Sequence, residues 1–455
     1  MSRYWTNESV LAFAEDRDPI AAVEDAAQRL VMHAIEQGWH GPPFDPFELA
    51  RIQGIPVEAH QELADARVVP AGDGGVRIEY NPTRPAPRLR FSLAHEIAHT
   101  LFPDVAAAAR YRANPAAGPP DAWQLELLCN VAAAELIMPT DALSELRKGP
   151  LKIERLMELR RTYGVSTEAL LRRAVKLTNR PLAMFAASRT NPTTATSPFR
   201  IDYTARTKAW DPQLPGGRLL PEKTVLAECT AIGFTAKREE IWAERLGPMR
   251  VQAVGAPAFP GHRFPRVLGL ISPHGVRAAA TNEVDVLHGD ALKPSGAPPR
   301  VLVHLVNDKT PNWGRGFAAS LRSRFPAAQD DFRDWVLADP TRLELGAAYV
   351  GEVADRMWVA TIVGQRGYGP SKRPRIRYEA VRQALTQVAA FARDQGATVH
   401  MPRIGAGQAG GRWSMVRELV EQTMTREGIR VTVYVPPREA IDEPDAELTQ
   451  LGLGI

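Results

Sequence analysis

Two histidines four residues apart, with a glutamate between them, are the residues of this sequence best placed to carry out chemistry. They are His95, Glu96 and His99, within residues 91–102. On an α-helix, residues four apart lie one turn above the other, so both imidazoles can face a single metal ion. Beside a water molecule activated by that metal, Glu96 can take up the proton as a general base. This arrangement is typical of metal-dependent peptide hydrolysis.

The following segment is expected to supply a further ligand, because a catalytic zinc has three protein ligands and a water molecule. Residues 121–139 read as one helix, with Asp121 as its predicted N-cap. Glu126 and Glu135 face different sides of such a helix, so only one of them can face the metal. We assign Glu126 as the third ligand and Asn130, one turn later, as a hydrogen-bonding partner behind a ligand, with Glu135 as the alternative ligand.

The sequence on the N-terminal side of the motif predicts the elements that position it. Apolar periodicity indicates amphipathic helices at residues 19–38 and 46–54, which would pack around the motif helix. Residues 74–82 alternate apolar and polar side chains and predict a strand. At a sheet edge this strand could pair with an extended peptide substrate, and an ordinary strand inside a sheet is equally compatible with the pattern.

Two helices joined by a glycine turn are predicted at residues 151–178, with Gly164 in the turn and Ser166 as N-cap of the second helix. Arginines and a lysine make this helix-turn-helix pattern basic, so DNA is one partner to consider. Few polar side chains at the start of the second helix suit base edges. We therefore favour a helical hairpin that packs on the preceding domain.

The middle of the chain carries the weakest signals. Apolar runs separated by proline and glycine predict strands of a small β-rich unit, at residues 182–187, 224–234, 249–254 and 266–271. We interpret this unit as a linker or a sensor-like domain. No residue in it indicates a specific function.

From about residue 281 the pattern changes to alternating strands and helices, which predicts an α/β sheet covered by helices on both faces. Two glycine-rich turns, at residues 314–316 and 405–411, each follow a strand and precede a helix. Glycines at such positions let backbone N–H groups approach an anion at a helix N-terminus. Two turns of this kind fit a diphosphate.

The metal motif and the helix after it resemble the ImmA/IrrE family of zinc metallopeptidases over residues 46–139. The resemblance is carried by RFSLAHEIAHTLF and by ELLCNVAAAELIMP. It implies that Glu96 is the catalytic base. The zinc ligands that it implies are His95, His99 and Glu126. Cys129 stands where the family usually has alanine, which we interpret as a change in packing.

The C-terminal part resembles a macro domain, the fold that binds ADP-ribose, through HGDAL, VHLVNDKTPNWGRGFAASL, IVGQRGYG and VHMPRIGAGQAGGRW. This resemblance implies that Asp290 accepts a hydrogen bond from the adenine amino group and that Asn307 lies near the distal ribose. The residues that it implies at the diphosphate are Gly314, Gly316, Gly405, Ala406, Gly407 and Gln408. Gln365 and Ala409 stand where hydrolytic relatives use a lysine and an aspartate, so binding is favoured over hydrolysis.

Composition limits the class of protein. A chain of 455 residues, 44% apolar and 24% charged, is typical of a globular protein with about three domains. The net charge of +4 is too diffuse to indicate nucleic acid by itself. With two cysteines, no apolar signal segment and no long apolar run, the sequence predicts a cytoplasmic protein without a disulfide framework.

Together these patterns predict a multidomain fold with α+β and α/β parts: a zincin-like peptidase with a helical hairpin, a small β-rich middle unit and a C-terminal α/β/α macro domain. The predicted segments are a zinc metallopeptidase domain, a helix-turn-helix-like segment, the β-rich unit, the macro domain and a tail, at residues 1–140, 141–179, 180–280, 281–437 and 438–455. The expected activity is cleavage of a specific regulatory protein, such as a helix-turn-helix repressor, with Zn²⁺ as cofactor and ADP-ribose or an ADP-ribosylated macromolecule as the sensed ligand. The alternatives are removal of ADP-ribose by the macro domain, or recruitment to an ADP-ribosylated partner, with the peptidase secondary.

Overall fold

A computed structural model describes residues 5–71, 75–105, 121–210, 212–242, 247–273 and 284–436. The predicted tail at 438–455 lies outside these residues. The chain divides into two compact units, the first formed by residues 1–30 and 40–281 and the second by residues 31–39 and 282–455. None of the described helices is both long enough and apolar enough to cross a membrane.

The chain begins with three helices, α1 (Glu8–Ala14), α2 (Pro19–Glu36) and α3 (Pro46–Ile52). The side chain of Asn7 caps α1 by accepting a hydrogen bond from the N–H of Val10 at 3.2 Å. Asp45 caps α3 in the same way, accepting from the N–H of Phe47 at 3.0 Å. Helices α2 and α3 therefore form where apolar periodicity predicts them.

A three-stranded sheet follows, made of β1 (Val57–Ala59), β2 (Ala66–Pro70) and β3 (Val76–Tyr80). Its order is β1-β3-β2, with β3 parallel to β1 and antiparallel to β2. The strand predicted at residues 74–82 is thus an internal strand, because both of its edges are already paired. The two edge strands are β1 and β2, and β2 packs beside the motif helix.

The motif lies on α4 (Ala86–His99), which packs against α5 (Ala122–Ile137). Both predicted helices form, and Asp121 is the N-cap residue of α5 as predicted, but its side chain makes no capping hydrogen bond. The carboxylate of Asp121 instead accepts hydrogen bonds from Thr6 Oγ1 at 2.8 Å and Asn7 Nδ2 at 3.2 Å. Asp121 has φ −103° and ψ 10°, outside the extended conformation in which an N-cap side chain reaches the helix N–H groups. Its oxygens therefore accept hydrogen bonds from Thr6 and Asn7 instead.

The helical hairpin consists of α7 (Ile153–Tyr163) and α8 (Thr167–Leu177), preceded by the short α6 (Glu145–Lys148). Gly164 adopts the left-handed conformation at φ +61°, and Ser166 Oγ accepts from the N–H of Ala169 at 3.1 Å, as predicted. Arg173 is buried in an ion pair with Glu135. Further cations of the hairpin also pair within the first unit, in the pairs Arg172–Glu168 and Lys176–Glu24. These ion pairs favour a packed hairpin over a DNA-binding one.

The middle of the chain forms a five-stranded antiparallel sheet with strand order β5-β4-β8-β7-β6. Its strands are β4 (Ala183–Arg189), β5 (Phe199–Arg206), β6 (Thr235–Glu240), β7 (Met249–Ala256) and β8 (Arg266–Pro273). The strand predicted at residues 224–234 is wrong, since this segment contains a 3₁₀ helix at Val225–Glu228. Thr224 caps that helix, and the N–H of Val225 donates to the side-chain carboxylate of Glu240 rather than to the backbone carbonyl of a neighbouring strand.

The second unit contains a six-stranded sheet of order β11-β12-β10-β13-β14-β9, parallel except for β11. The strands are β9 (Asp285–His288), β10 (Arg300–Asn307), β11 (Ala348–Ala354), β12 (Met357–Gln365), β13 (Thr398–Pro402) and β14 (Val431–Val435). The helices are α9 (Gly316–Arg324), α10 (Pro326–Ala338), α11 (Tyr378–Asp394) and α12 (Trp413–Thr423).

Two apolar layers cover the central strand of this sheet. Leu302 and Val306 of β10 belong to one core cluster with Leu321 of α9 and Phe332 of α10. Helix α11 packs on β12. The two approach so closely that a Cβ atom added to Gly364 of β12 would clash with Val381 of α11. Covering of this kind accounts for the nearly continuous apolar sequence of β10. The predicted multidomain α+β and α/β fold class is confirmed.

Candidate metal centre and ligand-binding loops

His95, His99 and Glu126 come together where α4 packs against α5, with their candidate ligand atoms all within 4.8 Å of one another. His95 Nε2 lies 3.0 Å from Glu126 Oε2, and His99 Nε2 lies 3.6 Å from Glu126 Oε1. The centroids of the two imidazole rings are 4.9 Å apart, and the rings are nearly perpendicular at 83°. Two nitrogens and a carboxylate thus converge on one position, which is the donor set of a His₂Glu zinc site.

Burial within α4 explains why the histidines face this position. Leu93 and Ile97 are completely buried and hold one side of the helix in the core. His99 is only 2% exposed, whereas the side chain of Glu126 is 46% exposed. The group therefore has a buried side formed by α4 and an open side at α5, from which a substrate can approach.

Glu135, the alternative ligand, lies elsewhere on α5. Its carboxylate accepts hydrogen bonds from the N–H of Thr140 at 2.9 Å and from Thr140 Oγ1 at 2.8 Å. It also forms a buried ion pair with Arg173, whose Nε donates to the Met138 carbonyl at 3.0 Å. The structure brings Glu126, and not Glu135, to the histidines.

Residues on α5 also contact the outer ring nitrogens of the two histidines. Asn130 Oδ1 lies 3.1 Å from His95 Nδ1, the position expected of a hydrogen-bonding partner behind a ligand. Cys129 Sγ lies 3.1 Å from His99 Nδ1. The sequence indicates Cys129 only as a change in packing, although its place three residues after Glu126 puts it on the ligand side of the helix.

Glu96 is held by the edge strand of the small sheet. Its Oε2 accepts a hydrogen bond of 2.8 Å from the backbone N–H of Val68 on β2, and the residue is 8% exposed. The sequence gives no sign of this contact, because the donor belongs to the backbone. Its effect is to fix the Glu96 carboxylate, whose negative charge acts on His95.

The local charge of this group favours a cation. Burial lowers the pKa of His95, but the hydrogen bond that its ring donates to Glu126 and the negative charge of Glu96 together raise it by more, so the pKa lies above its usual value. Two carboxylates around two imidazoles thus create a negative potential. A divalent cation suits the same position.

In the second unit, the two glycine turns follow β10 and β13, which pair in parallel. Gly316 and Gly405 have φ values of +60° and +77°, which only glycine adopts without steric cost. A Cβ on Gly405 would lie 2.5 Å from Ile376 Cδ1, so a side chain there would displace the turn. A Cβ on Gly316 would lie 3.6 Å from Gln408 Nε2, so the two turns meet here.

The second turn presents backbone donors. A hydrogen bond of 2.9 Å from the N–H of Gly411 to the carbonyl of Gly405 joins the two ends of this turn. Within the described part of the chain, the N–H groups of Gly407 and Gln408 have no acceptor. Gly314 and Gly407 also leave open space where a side chain would be. Such exposed donors suit an anionic ligand.

The remaining predicted ligand residues lie after the ends of β9, β10 and β13, strands that run parallel in one sheet and so end at one edge. Asp290 is exposed, and its Oδ1 accepts from the N–H of Leu292 at 2.9 Å. Asn307 Oδ1 accepts from the N–H of Lys309 at 2.9 Å, which shapes the turn after β10. Ala406 follows Gly405 in the second turn.

Two positions tied to hydrolysis carry no ionisable group. Gln365 Nε2 donates to the carbonyl of Gly367 at 2.8 Å and so stabilises a loop. The Ala409 carbonyl accepts from the N–H groups of Arg375 at 2.8 Å and Ile376 at 3.1 Å. Neither residue can act as an acid, a base or a nucleophile there.

Comparison with known proteins agrees with both parts of the chain. Residues 54–175 match the family model of the IrrE N-terminal-like domain, Peptidase_M78. A macrodomain protein from Streptomyces coelicolor is 38% identical, over 34% of this chain and 99% of that protein, with a TM-score of 0.30. DarTG of Thermosipho africanus, solved in complex with ADP-ribose, is 22% identical over 32% of this chain and 40% of its own, with a TM-score of 0.26.

One sequence relative is much longer than the region that it has in common with this chain. Chromodomain-helicase-DNA-binding protein 1-like from Danio rerio is 30% identical over 160 residues, which is 33% of this chain and 15% of the relative. This chain therefore spans less than a fifth of that relative's length. The peptidase family predicted from the sequence is confirmed as a domain match over residues 54–175, and a third of the chain is similar in sequence to macrodomain proteins.

Proposed function

We propose that this chain, which contains an IrrE N-terminal-like domain of the Peptidase_M78 family at residues 54–175, is a zinc-dependent endopeptidase that responds to ADP-ribose. The family match makes it a metallopeptidase-type hydrolase. The observation that carries the rest is the convergence of His95, His99 and Glu126 beside Glu96. It supports one metal position with a general base next to it.

Zinc fits this position better than magnesium or calcium. Two imidazole nitrogens and one carboxylate form the ligand set of many catalytic zinc sites, whereas magnesium and calcium prefer oxygen ligands alone. Zinc bound there would polarise a peptide carbonyl and acidify a water molecule. The zinc ligands we propose are His95, His99 and Glu126.

The chain's own residues would then divide the chemistry. Glu96 takes the proton from the attacking water and returns it to the departing amine nitrogen, while Val68 N–H holds its carboxylate in place. Asn130 orients His95 through Nδ1. The burial of His99 keeps water from competing on that side of the site.

A protein substrate is expected because the site opens beside an edge strand. An extended peptide can pair by main-chain hydrogen bonds with the edge strand β2 beyond Val68, whose N–H is taken by Glu96, and this pairing would place the peptide backbone near Glu96. The family resemblance implies a specific regulatory protein, such as a helix-turn-helix repressor, and not general digestion. The reducing cytoplasm is the compartment we expect, since both cysteines are free thiols.

For the second unit we propose ADP-ribose, free or attached to a macromolecule, as the ligand. The meeting of the two glycine turns and the open N–H groups of Gly407 and Gln408 support binding of its diphosphate, and the exposed carboxylate of Asp290 supports a hydrogen bond from the adenine amino group. Control of the peptidase requires that the ligand favour one state of the protein over another. Without such a difference in affinity, the second unit would act only as a tether.

Removal of ADP-ribose is the alternative activity, and the residues present weigh against it. Gln365 and Ala409 occupy the places of the lysine and the aspartate used by hydrolytic relatives, and both are engaged in stabilising loops. Binding without hydrolysis is therefore the function we assign to the second unit. Incubation with an ADP-ribosylated protein would distinguish the two, since release of ADP-ribose would contradict this assignment.

The proposal is tested by mapping protein N-termini in cells that express either the wild type or Glu96→Gln. The wild type should generate a small set of new N-termini that the variant does not. Identical N-terminal profiles, with both proteins folded and loaded with zinc, would contradict the peptidase function. Purified protein and the identified target would then show whether ADP-ribose changes the rate of cleavage.

A further inference from the structure

Three residues of α5 contact both ring nitrogens of the two candidate ligand histidines. Glu126 faces Nε2 of both rings, Asn130 faces Nδ1 of His95, and Cys129 Sγ lies 3.1 Å from Nδ1 of His99. Positions 126, 129 and 130 share one helix face, because residues three and four apart are neighbours on a helix. One turn of α5 thus contacts both ring nitrogens of His95 and of His99.

We infer that Cys129 is a positioning residue for zinc binding, which accepts a hydrogen bond from Nδ1 of His99 and so fixes the ring with Nε2 toward the metal. This inference rests on the proposed function, since it assumes that His99 binds zinc through Nε2. It assigns to the thiol of Cys129 a role beyond packing.

The direction of this hydrogen bond follows from the chemistry of imidazole. A neutral imidazole carries one N–H and one lone pair, so a ring that offers Nε2 to a metal must carry its hydrogen on Nδ1. The sulfur next to Nδ1 is then the acceptor. Metal-binding histidines usually donate this N–H to an oxygen, and here a thiol occupies the corresponding place.

Burial makes this contact effective. Cys129 is 0% exposed and His99 is 2% exposed, so bulk water does not compete for the hydrogen bond. A weak acceptor such as sulfur gains influence in a site of low dielectric constant. By contrast, Asn130 beside His95 is exposed, and its stronger amide oxygen acts in the presence of water.

Geometry also argues against Cys129 as a zinc ligand itself. Its sulfur lies against Nδ1 of His99, whereas Nε2 of the same ring faces Glu126. Among the described residues, His95, His99 and Glu126 have potential ligand atoms that all lie within 4.8 Å of one another. Cys129 is not part of this group. The thiol therefore lies behind the ring and not at the metal position.

The test is a competition titration of zinc against a chelator for the wild type, Cys129→Ala and Cys129→Ser. Loss of the sulfur in Cys129→Ala should weaken zinc binding by about 10–100-fold, the usual effect of removing such an outer partner. The hydroxyl of Cys129→Ser can still accept the hydrogen bond, so its affinity should lie closer to the wild type. Cys229→Ala, which removes the other buried thiol, should bind zinc like the wild type.

Cobalt substitution and unfolding of the zinc-free protein separate the remaining explanations. Wild-type protein loaded with cobalt should lack the thiolate-to-cobalt charge-transfer band, and a band that disappears in Cys129→Ala would overturn the inference in favour of direct ligation. A merely structural role would lower the unfolding temperature of zinc-free Cys129→Ala while leaving its zinc affinity unchanged. That result would also overturn the inference.

The outcomes distinguish this inference from the proposed function. Equal zinc affinity of the wild type and Cys129→Ala would reject the positioning role and leave the zinc peptidase intact. Failure of the wild type and Cys229→Ala to bind zinc at all would reject the proposed function and the inference together.

Discussion

The backbone N–H of Val68 donates a 2.8 Å hydrogen bond to Oε2 of Glu96, which links the edge strand β2 to the residue between the two motif histidines. Glu96 is 8% exposed and Val68 is 3% exposed, so the carboxylate is oriented in a largely dry environment. Apart from proline, no residue substituted at Val68 removes this backbone donor. The orientation of the proposed general base is therefore a property of the fold of the small sheet.

This contact makes Glu96→Gln a clean test of catalysis. The glutamine side-chain oxygen can still accept from Val68, so the fold and zinc binding should be retained, but an amide cannot take up the proton. Cleavage of the target protein should fall by roughly 10²–10⁴-fold or more. Cleavage near the wild-type rate, in a variant with full zinc content, would show that Glu96 is not the base.

The two glutamates of α5 should differ sharply when each is replaced by alanine. Glu126→Ala removes a proposed ligand and should bind much less zinc, with little effect on the stability of the metal-free protein because its side chain is 46% exposed. Glu135→Ala leaves Arg173 buried without its carboxylate and should reduce the free energy of unfolding by about 3–5 kcal/mol.

Metal analysis and chemical denaturation of both variants check this prediction. The folded fraction of Glu135→Ala should retain one zinc per chain. The opposite pattern, with zinc lost in Glu135→Ala and kept in Glu126→Ala, would transfer the third ligand to Glu135.

Asp290→Ala should weaken binding of ADP-ribose by roughly tenfold or more, because the adenine amino group would lose its acceptor. Asp285→Ala is a matched control, since this aspartate is also exposed and lies on the neighbouring strand β9. Calorimetry on the full-length chain measures both affinities. Equal weakening by the two substitutions would indicate a general charge effect and would reject the specific role of Asp290.

Two buried histidines predict how the stability of the second unit depends on pH. Burial lowers the pKa of His304 to about 3, and burial with the positive charge of Arg300 lowers that of His400 to about 4. In the unfolded chain both protonate near pH 6.5, so below that pH the unfolded state binds more protons than the folded state. The free energy of unfolding should therefore decrease as pH falls, by about 2 kcal/mol per histidine between pH 7 and pH 5.

Denaturation with urea at pH 7 and pH 5 measures this decrease. His304→Gln removes one of the titrating groups and should show a smaller difference between the two pH values than the wild type. His288→Gln replaces an exposed histidine of the same unit and should leave the difference unchanged. A wild-type difference that persists in full in His304→Gln would show that this histidine does not titrate on unfolding.

Much of the metal group could be predicted from the sequence, because its geometry is local to two helices. The spacing of His95 and His99 determines their shared face, and the same helical geometry separates Glu126 from Glu135. The contacts of Val68 and Cys129 could not be predicted in this way. One involves a backbone atom of a distant strand, and the other depends on how closely α4 and α5 pack.

The missed elements have physical reasons as well. Strand β6 is an edge strand with mostly exposed polar side chains, so it lacks the apolar signal of a buried strand. Helix α10 is absent from the elements that we predict from the sequence. Its signals are Pro326 in the first turn and the four-residue spacing of Phe332 and Val336. The segment after Thr224 looked like a strand because it is apolar, but its threonine cap starts a 3₁₀ helix.

The most direct test of the zinc peptidase is a crystal structure of the zinc-loaded protein with anomalous diffraction measured at the zinc absorption edge. We predict one anomalous peak within about 2.0–2.2 Å of His95 Nε2, His99 Nε2 and a carboxylate oxygen of Glu126. A peak at any other set of side chains, or none at this position in crystals grown with excess zinc, would contradict the assignment of this group as the catalytic centre.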